Sequence, residues 1–186
     1  MKTADVDTAR AAGVLTLVFA VASAAVAGFF LWTGFHGDPL IDFTDWRNVI
    51  AVVLWVILAG AFGLAARSVQ PLGSTPVIAA ALAVSATALV MALLRLWDVF
   101  GHVPVSGRWP LLLVSVALIG YGVIASTVLL QWSALFACIA GLLGGIYSVV
   151  PDIFPHANFA WLSALLVYGA VAASTAGRSG GVPRPG

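Results

Sequence analysis

Charged residues are scarce in this chain, and glutamate is absent. Only 8% of the 186 residues are charged, every acidic residue is Asp, and Lys2 is the single lysine. Soluble globular domains usually carry about 25% charged residues, so the composition argues against a water-soluble fold. The net charge of +1 also creates no field that would attract nucleic acid or an acidic substrate.

Cysteine is nearly absent as well. The single Cys138 lies inside an apolar run, so neither a disulfide framework nor a cysteine-based metal site can form within one chain. A catalytic nucleophile needs a base within reach, and the long apolar stretches contain no His, Asp or Glu. We therefore predict that the protein is not an enzyme and has no cofactor. The hydroxyls in these stretches are expected to bond to backbone carbonyls of their own helices: Ser85, Thr87, Ser115, Ser126 and Thr127.

Long apolar stretches dominate the sequence, which is 62% hydrophobic. A helix needs about 20 apolar residues to cross a hydrocarbon core of about 30 Å. By that length the chain is predicted to be an all-α bundle of six transmembrane helices, at 11–32, 49–66, 77–97, 109–130, 132–150 and 158–176. The domain plan is a cytoplasmic N-terminus (1–10), a six-span domain (11–176) and a disordered cytoplasmic tail (177–186).

Several local signals place the ends of these helices. Asp7 or Thr8 can cap the first helix, and Thr75 can cap the third with Pro76 in its first turn. A single helix over the uncharged run 109–150 would measure about 63 Å, so the run must fold back. The turn is predicted at Gln131-Trp132-Ser133.

The orientation follows from the basic residues of the connections. With both termini in the cytoplasm, five basic residues lie inside (Lys2, Arg10, Arg67, Arg178 and Arg184) and three lie outside (Arg47, Arg95 and Arg108). Tryptophans then fall near the two interfaces, with Trp32, Trp46, Trp97, Trp109 and Trp161 outside and Trp132 inside. We predict a multi-pass protein with N-in and C-in topology.

The three outward connections share Phe, His and Asp at close spacing. We name their six polar residues the outer rim: His36, Asp38, Asp98, His102, Asp152 and His156. The simplest interpretation is that these are ordinary interfacial histidines, since histidine avoids hydrocarbon. Two alternatives are a cluster that becomes charged as the outside acidifies and a site for a transition metal.

Two further features have a structural and a functional interpretation. Arg95 and Asp98 are three residues apart at the end of the third span, which favours an interfacial ion pair that anchors the helix. Ala137, Gly141 and Gly145 recur every four residues in the fifth span. Small residues allow close helix approach, and packing within the chain is favoured over a dimer seam.

The outward and return helices pair into three tandem hairpins, at 11–66, 77–130 and 132–176. With the Gly-rich stretch at 139–146, the loop prolines Pro151 and Pro155, and the stretch at 165–169, this plan resembles the bacterial HdeD-type acid-resistance membrane proteins. The resemblance implies a protein of the bacterial cytoplasmic membrane that is linked to acid or envelope stress.

Two function classes follow from these patterns. The first is a non-enzymatic membrane protein of stress response, either structural or an accessory partner of a larger assembly, in contact with lipid and open to homo-oligomer formation. The alternative is a small channel or transporter for protons or a neutral solute. The absence of ionisable residues within the spans counts against a pathway for charged solutes.

Overall fold

The computed structural model describes residues 5–35, 44–101, 108–127, 131–150 and 156–175. These ranges are helical throughout, apart from short turns and helix ends, and contain no strand. A short 3-10 helix, Gln70–Leu72, joins the second helix to the third. The α-helices of the described ranges are α1 (Val6–Phe35), α2 (Thr44–Val69), α3 (Thr75–Gly101), α4 (Arg108–Ala125), α5 (Gln131–Val149) and α6 (His156–Thr175).

The helices form a closed ring. Each helix packs against its neighbours in the chain, and α6 also packs against α1. The most extensive packing joins α2 to α3 and α4 to α5, followed by α6 to α1. The most extensive packing therefore lies between the predicted hairpins rather than within them.

A repeated sequence motif lies at the contacts between the hairpins. Each even-numbered helix carries an aromatic residue followed by Gly, with Ala four positions after the aromatic. We call this the aromatic–glycine motif, and its members are Phe62-Gly63-Ala66, Tyr121-Gly122-Ala125 and Tyr168-Gly169-Ala172. Because Gly has no side chain, the next helix in the ring can approach closely at that position.

The glycines of the motif face the following helix. A Cβ on Gly122 would lie 2.6 Å from the carbonyl oxygen of Ala134 in α5, and one on Gly169 would lie 2.9 Å from the carbonyl oxygen of Gly13 in α1. The contact at Gly63 is looser, with 3.8 Å to the Ser85 hydroxyl in α3. Two of the three contacts are therefore close enough to exclude any side chain.

The N-terminus of α1 is capped by Asp5, so the prediction of Asp7 or Thr8 is wrong. The Asp5 carboxylate accepts hydrogen bonds from the Thr8 hydroxyl at 2.6 Å and the Thr8 N–H at 3.3 Å. These bonds lower the pKa of Asp5, the hydroxyl most of all. The Asp5 N–H donates to the Ser68 carbonyl at 2.9 Å, which ties the start of α1 to the end of α2.

The break between α4 and α5 begins earlier than predicted. Helix α4 ends at Ala125, a turn follows at Ser126 and Thr127, and Gln131 already belongs to α5. The two hydroxyls donate to the carbonyls of Val123 and Ile124 at 2.6 and 2.7 Å. Because these bonds satisfy carbonyls that the ending helix leaves open, the chain can turn before the predicted site.

Most of the other helix hydroxyls behave as predicted. Thr87 and Ser115 donate to carbonyls of their own helices at 3.0 and 2.8 Å. Ser85 is the exception, because its hydroxyl donates to the Ala59 carbonyl of α2 at 2.8 Å. This hydrogen bond joins the most extensively packed helix pair.

Several helices of the bundle are long and apolar enough to cross a membrane, and they expose large apolar side chains of the kind that face lipid. Large apolar side chains such as Leu93, Val116 and Val149 are 63%, 60% and 66% exposed. Among the described residues, four segments meet the length and hydropathy of a span, namely Val6–Phe29, Val49–Leu72, Thr75–Trp97 and Trp132–Val149. Two shorter apolar helices, Pro110–Ala125 and Asn158–Ser174, accompany them. The chain is a helical membrane protein.

Candidate functional site

The three aromatic residues of the motif meet in the interior of the ring. We call Phe62, Tyr121 and Tyr168 the central aromatic cluster. Phe62 stacks on Tyr168 with centroids 5.7 Å apart and meets Tyr121 edge-on at 5.2 Å. All three side chains are buried. Because they come from α2, α4 and α6, which alternate around the ring, the cluster fills the centre of the bundle.

Two of the cluster's three rings carry a hydroxyl. The Tyr168 hydroxyl donates to the Tyr121 hydroxyl at 3.3 Å, which is long for an O–H···O bond. Phe62 occupies the equivalent position on α2 and offers no polar group. The pair is therefore a weak polar contact inside an otherwise apolar layer.

A second aromatic cluster lies two helical turns away. It consists of Phe19, Trp55 and Trp161, with centroid separations of 5.5, 6.0 and 6.1 Å. Trp55 precedes Phe62 by seven residues, and Trp161 precedes Tyr168 by seven. Seven residues rise about 10 Å along a helix, so the two clusters form successive layers of the interior.

The tryptophans differ in how deeply they are buried in the bundle. Trp161 is only 4% exposed and packs against Phe19 and Trp55, whereas Trp97 and Trp132 are 62% and 65% exposed. The aromatic-belt rule concerns depth in the membrane and ignores which face of the helix a residue occupies. The predicted interfacial depth of these residues therefore stays a prediction.

The indole N–H of Trp161 has no hydrogen-bond partner within the described ranges. The Trp161 Nε1 atom faces α5 and lies 2.9 Å from the position that a Cβ on Gly144 would occupy. The Ser115 hydroxyl oxygen lies 2.7 Å from that same Cβ position. The absence of a side chain at Gly144 therefore makes room for the indole edge. A buried donor without an acceptor costs about 1–3 kcal/mol.

A cavity of about 190 Å³ lies beside the second aromatic cluster. We call it the α1–α2–α6 cavity after the helices that line it. Its walls come from the second half of α1, the first half of α2 and the first turns of α6. The lining residues are Phe19, Ser23, Val26, Ala27, Ile50, Ala51, Leu54, Trp55, Asn158, Trp161 and Leu162.

The outer rim falls largely beyond the described ranges. His36, Asp38, His102 and Asp152 lie outside them, and the side chains of Asp98 in α3 and His156 at the start of α6 also lie outside the described part. In the described part, no three His, Cys, Asp or Glu side chains gather as a metal-binding group. The pH, metal and interfacial interpretations of the rim therefore stay predictions.

The Arg95–Asp98 ion pair stays a prediction too. The Arg95 side chain is partly buried near the end of α3, and it takes part in an interaction. The Asp98 side chain lies outside the described part of the chain.

The small residues of α5 lie against α4. Ala137 is fully buried, and a Cβ on Gly141 would lie 2.6 Å from the Ser115 carbonyl oxygen. At Gly145 the nearest atom is the Ser115 Cβ at 3.9 Å. The described contacts of these glycines are thus contacts within the chain.

Comparisons with known proteins return no relatives. The chain matches no family model, no curated protein and no solved structure. The resemblance to HdeD-type proteins therefore stays a prediction from the sequence.

Proposed function

We propose that this chain is a six-span, non-enzymatic membrane protein that does not conduct solutes and acts as a sensory or accessory protein through its outer end. The observation that supports this most is the filled interior. Two layers of buried aromatic side chains occupy the space that a pathway between the helices would need.

Six crossings are consistent with the lengths of the two shorter helices. Helix α4 has 18 residues and α6 has 20, which correspond to about 27 and 30 Å at 1.5 Å per residue. A hydrocarbon core measures about 30 Å, and a deficit of a few Å is accommodated by local thinning or by flanking residues. In the ring, α4 packs between α3 and α5, and α6 packs between α5 and α1. We therefore propose three hairpins with both termini in the cytoplasm.

The aromatic layers argue against the channel alternative. Edge-on and stacked rings at 5.2–6.3 Å are in van der Waals contact, so a solute would have to separate them. Among the described residues, the polar contact between these rings is the weak Tyr121–Tyr168 hydrogen bond. A chain of water or protons needs more polar groups than this pair supplies.

The proposed site of action is the end that carries the outer rim. Its histidines would charge together below their ordinary pKa near 6.5, and the HdeD-type resemblance supports a role in acid or envelope stress at the bacterial cytoplasmic membrane. A homo-oligomer or a membrane partner would receive the signal.

Flux through proteoliposomes tests the sealed interior. The purified protein is reconstituted around a pH-sensitive dye, and proton and glycerol flux are measured with the outside at pH 7 and at pH 5. We expect the rates of protein-free liposomes at both values, with gramicidin as the positive control. A flux that opens at pH 5 would support the channel alternative and remove this proposal.

The rim hypothesis needs its own experiment. We expect replacement of His36, His102 and His156 by Gln to abolish the acid response of cells, with equal amounts of protein in the membrane. An unchanged response would limit these histidines to interfacial roles.

A further inference from the structure

We propose that the α1–α2–α6 cavity binds a neutral, single-ring molecule that carries an oxygen function, of the phenol or quinone class. This inference is independent of whether the protein senses acid, because it concerns a site built from described helix residues alone.

The first argument is the position of the cavity. Phe19 lies at one end of its α1 wall and Ala27 at the other, eight residues or about 12 Å along the helix axis. Phe19, Trp55 and Trp161 are buried and form its floor. The cavity therefore lies next to the second aromatic cluster and extends towards the N-terminal ends of α2 and α6.

The second argument is its size. A volume of about 190 Å³ is slightly larger than an apolar protein cavity of about 150 Å³ that holds benzene. One six-membered ring with small substituents fits this space.

The third argument is its chemistry. Two indoles and a phenyl ring give large flat faces on which a ring can stack. They contact one another at 5.5–6.1 Å, so they form a floor and not a cage around a cation. Among the described residues of the lining none is acidic, which favours a neutral ligand over an organic cation.

The fourth argument is the pair of polar side chains in the walls. The Ser23 hydroxyl and the Asn158 amide line the cavity on two different helices. Neither makes a hydrogen bond to another described residue, in a part of the chain where most hydroxyls bond to a backbone carbonyl. Each can donate to or accept from an oxygen on the edge of a bound ring, which explains the requirement for an oxygen function.

Fluorine NMR can test this with an internal control. The protein is labelled with 5-fluorotryptophan in nanodiscs, the resonances are assigned by single Trp→Phe substitutions, and p-cresol is titrated. We expect saturable shifts of Trp55 and Trp161, while the exposed Trp97 and Trp132 change only in proportion to ligand dissolved in the lipid. Toluene, which lacks the hydroxyl, should bind about threefold to tenfold more weakly, as the loss of a hydrogen bond predicts.

Two variants separate the site from its surroundings. Ser23→Ala should weaken p-cresol about threefold to tenfold and leave toluene unchanged. Ala51→Phe should fill the cavity and abolish both shifts, and the unliganded spectra verify that each variant is folded. Shifts that never saturate, equal shifts at all four tryptophans, or a response to tetramethylammonium in place of p-cresol would overturn the proposal.

Discussion

The strongest consequence of the ring packing concerns two glycines of α4, which lie two residues apart and differ completely in their surroundings. A Cβ on Gly122 would stand 2.5 Å from the Cys138 sulfur, 2.6 Å from the Ala134 carbonyl oxygen and 2.9 Å from the Cys138 backbone nitrogen. A Cβ on Gly120 meets nothing within 4 Å. The same substitution, Gly→Ala, therefore tests the helix contact with a matched control.

The expected free-energy changes follow from these distances. Overpacking costs about 1–3 kcal/mol, and Gly122→Ala belongs at the upper end because two of the three atoms are backbone and cannot rotate away. Ala is also a better helix former than Gly by about 0.5–1 kcal/mol. Gly122→Ala should thus lose about 2 kcal/mol of unfolding free energy, while Gly120→Ala should lose nothing or gain about 0.5 kcal/mol.

The assay is reversible unfolding in mixed micelles, with increasing mole fraction of SDS and helix content followed by circular dichroism. Adding Cys138→Ala to Gly122→Ala should restore only part of the loss, because the backbone contacts are still present. Equal stability of the two single variants, or complete rescue by Cys138→Ala, would refute the packing of α4 on α5 described above.

Three other predictions follow from the described contacts. Gly169→Ala should destabilise the protein about as much as Gly122→Ala, because it meets the backbone of α1 at 2.9 Å; an unfolding titration that matches wild type would contradict the closure of the ring. Tyr168→Phe should lower the free energy of unfolding by about 1 kcal/mol, because it leaves the Tyr121 hydroxyl unpaired. A double-mutant cycle with Tyr121→Phe should give a coupling energy of about 0.6 kcal/mol. A coupling energy of zero would show that the hydrogen bond does not form. The pKa of Asp5 is lowered from its ordinary 3.8, so its cap contributes stability above that pH and loses it as the pH falls through the lower folded value. Thermal midpoints between pH 2 and 5 should therefore fall less for Asp5→Asn than for the control Asp7→Asn.

The helices themselves could be predicted from the sequence, because burial in lipid requires length and apolarity and both can be counted. The observed helices extend past most predicted bounds, for example Val6–Phe35 against 11–32 and Thr44–Val69 against 49–66. The counting rule measures only the apolar part of a helix, and these helices continue into their polar flanks. A cap such as Asp5, placed ahead of the apolar run, was missed for the same reason.

The arrangement of the helices was harder to predict. Hydropathy is nearly uniform around α1, α2 and α6, so in these helices it does not show which face meets the neighbour and which meets lipid. The prediction emphasised pairs within hairpins, whereas the most extensive packing is between them. One signal could have revealed it, namely the aromatic–glycine motif, whose three copies mark the glycine that contacts the next helix.

The candidate site combines residues from three helices that meet only when the ring closes. Phe19, Trp55 and Trp161 are far apart in sequence, and their common surroundings depend on the closure of α6 onto α1. The sequence instead pointed to the histidines of the connections, because polar residues are conspicuous in an apolar chain. An apolar site is less conspicuous in such a sequence, since aromatic residues are expected in every span.

The three copies of the motif place different side chains in the interior of the ring. At the aromatic position α4 and α6 carry Tyr and α2 carries Phe62, and seven residues earlier α2 and α6 carry Trp while α4 carries the buried Val114. A ring with identical repeats would need only packing at these positions. Because the side chains at equivalent positions differ, one side of the interior differs from the others. The two tryptophans, which have no counterpart in α4, both line the α1–α2–α6 cavity.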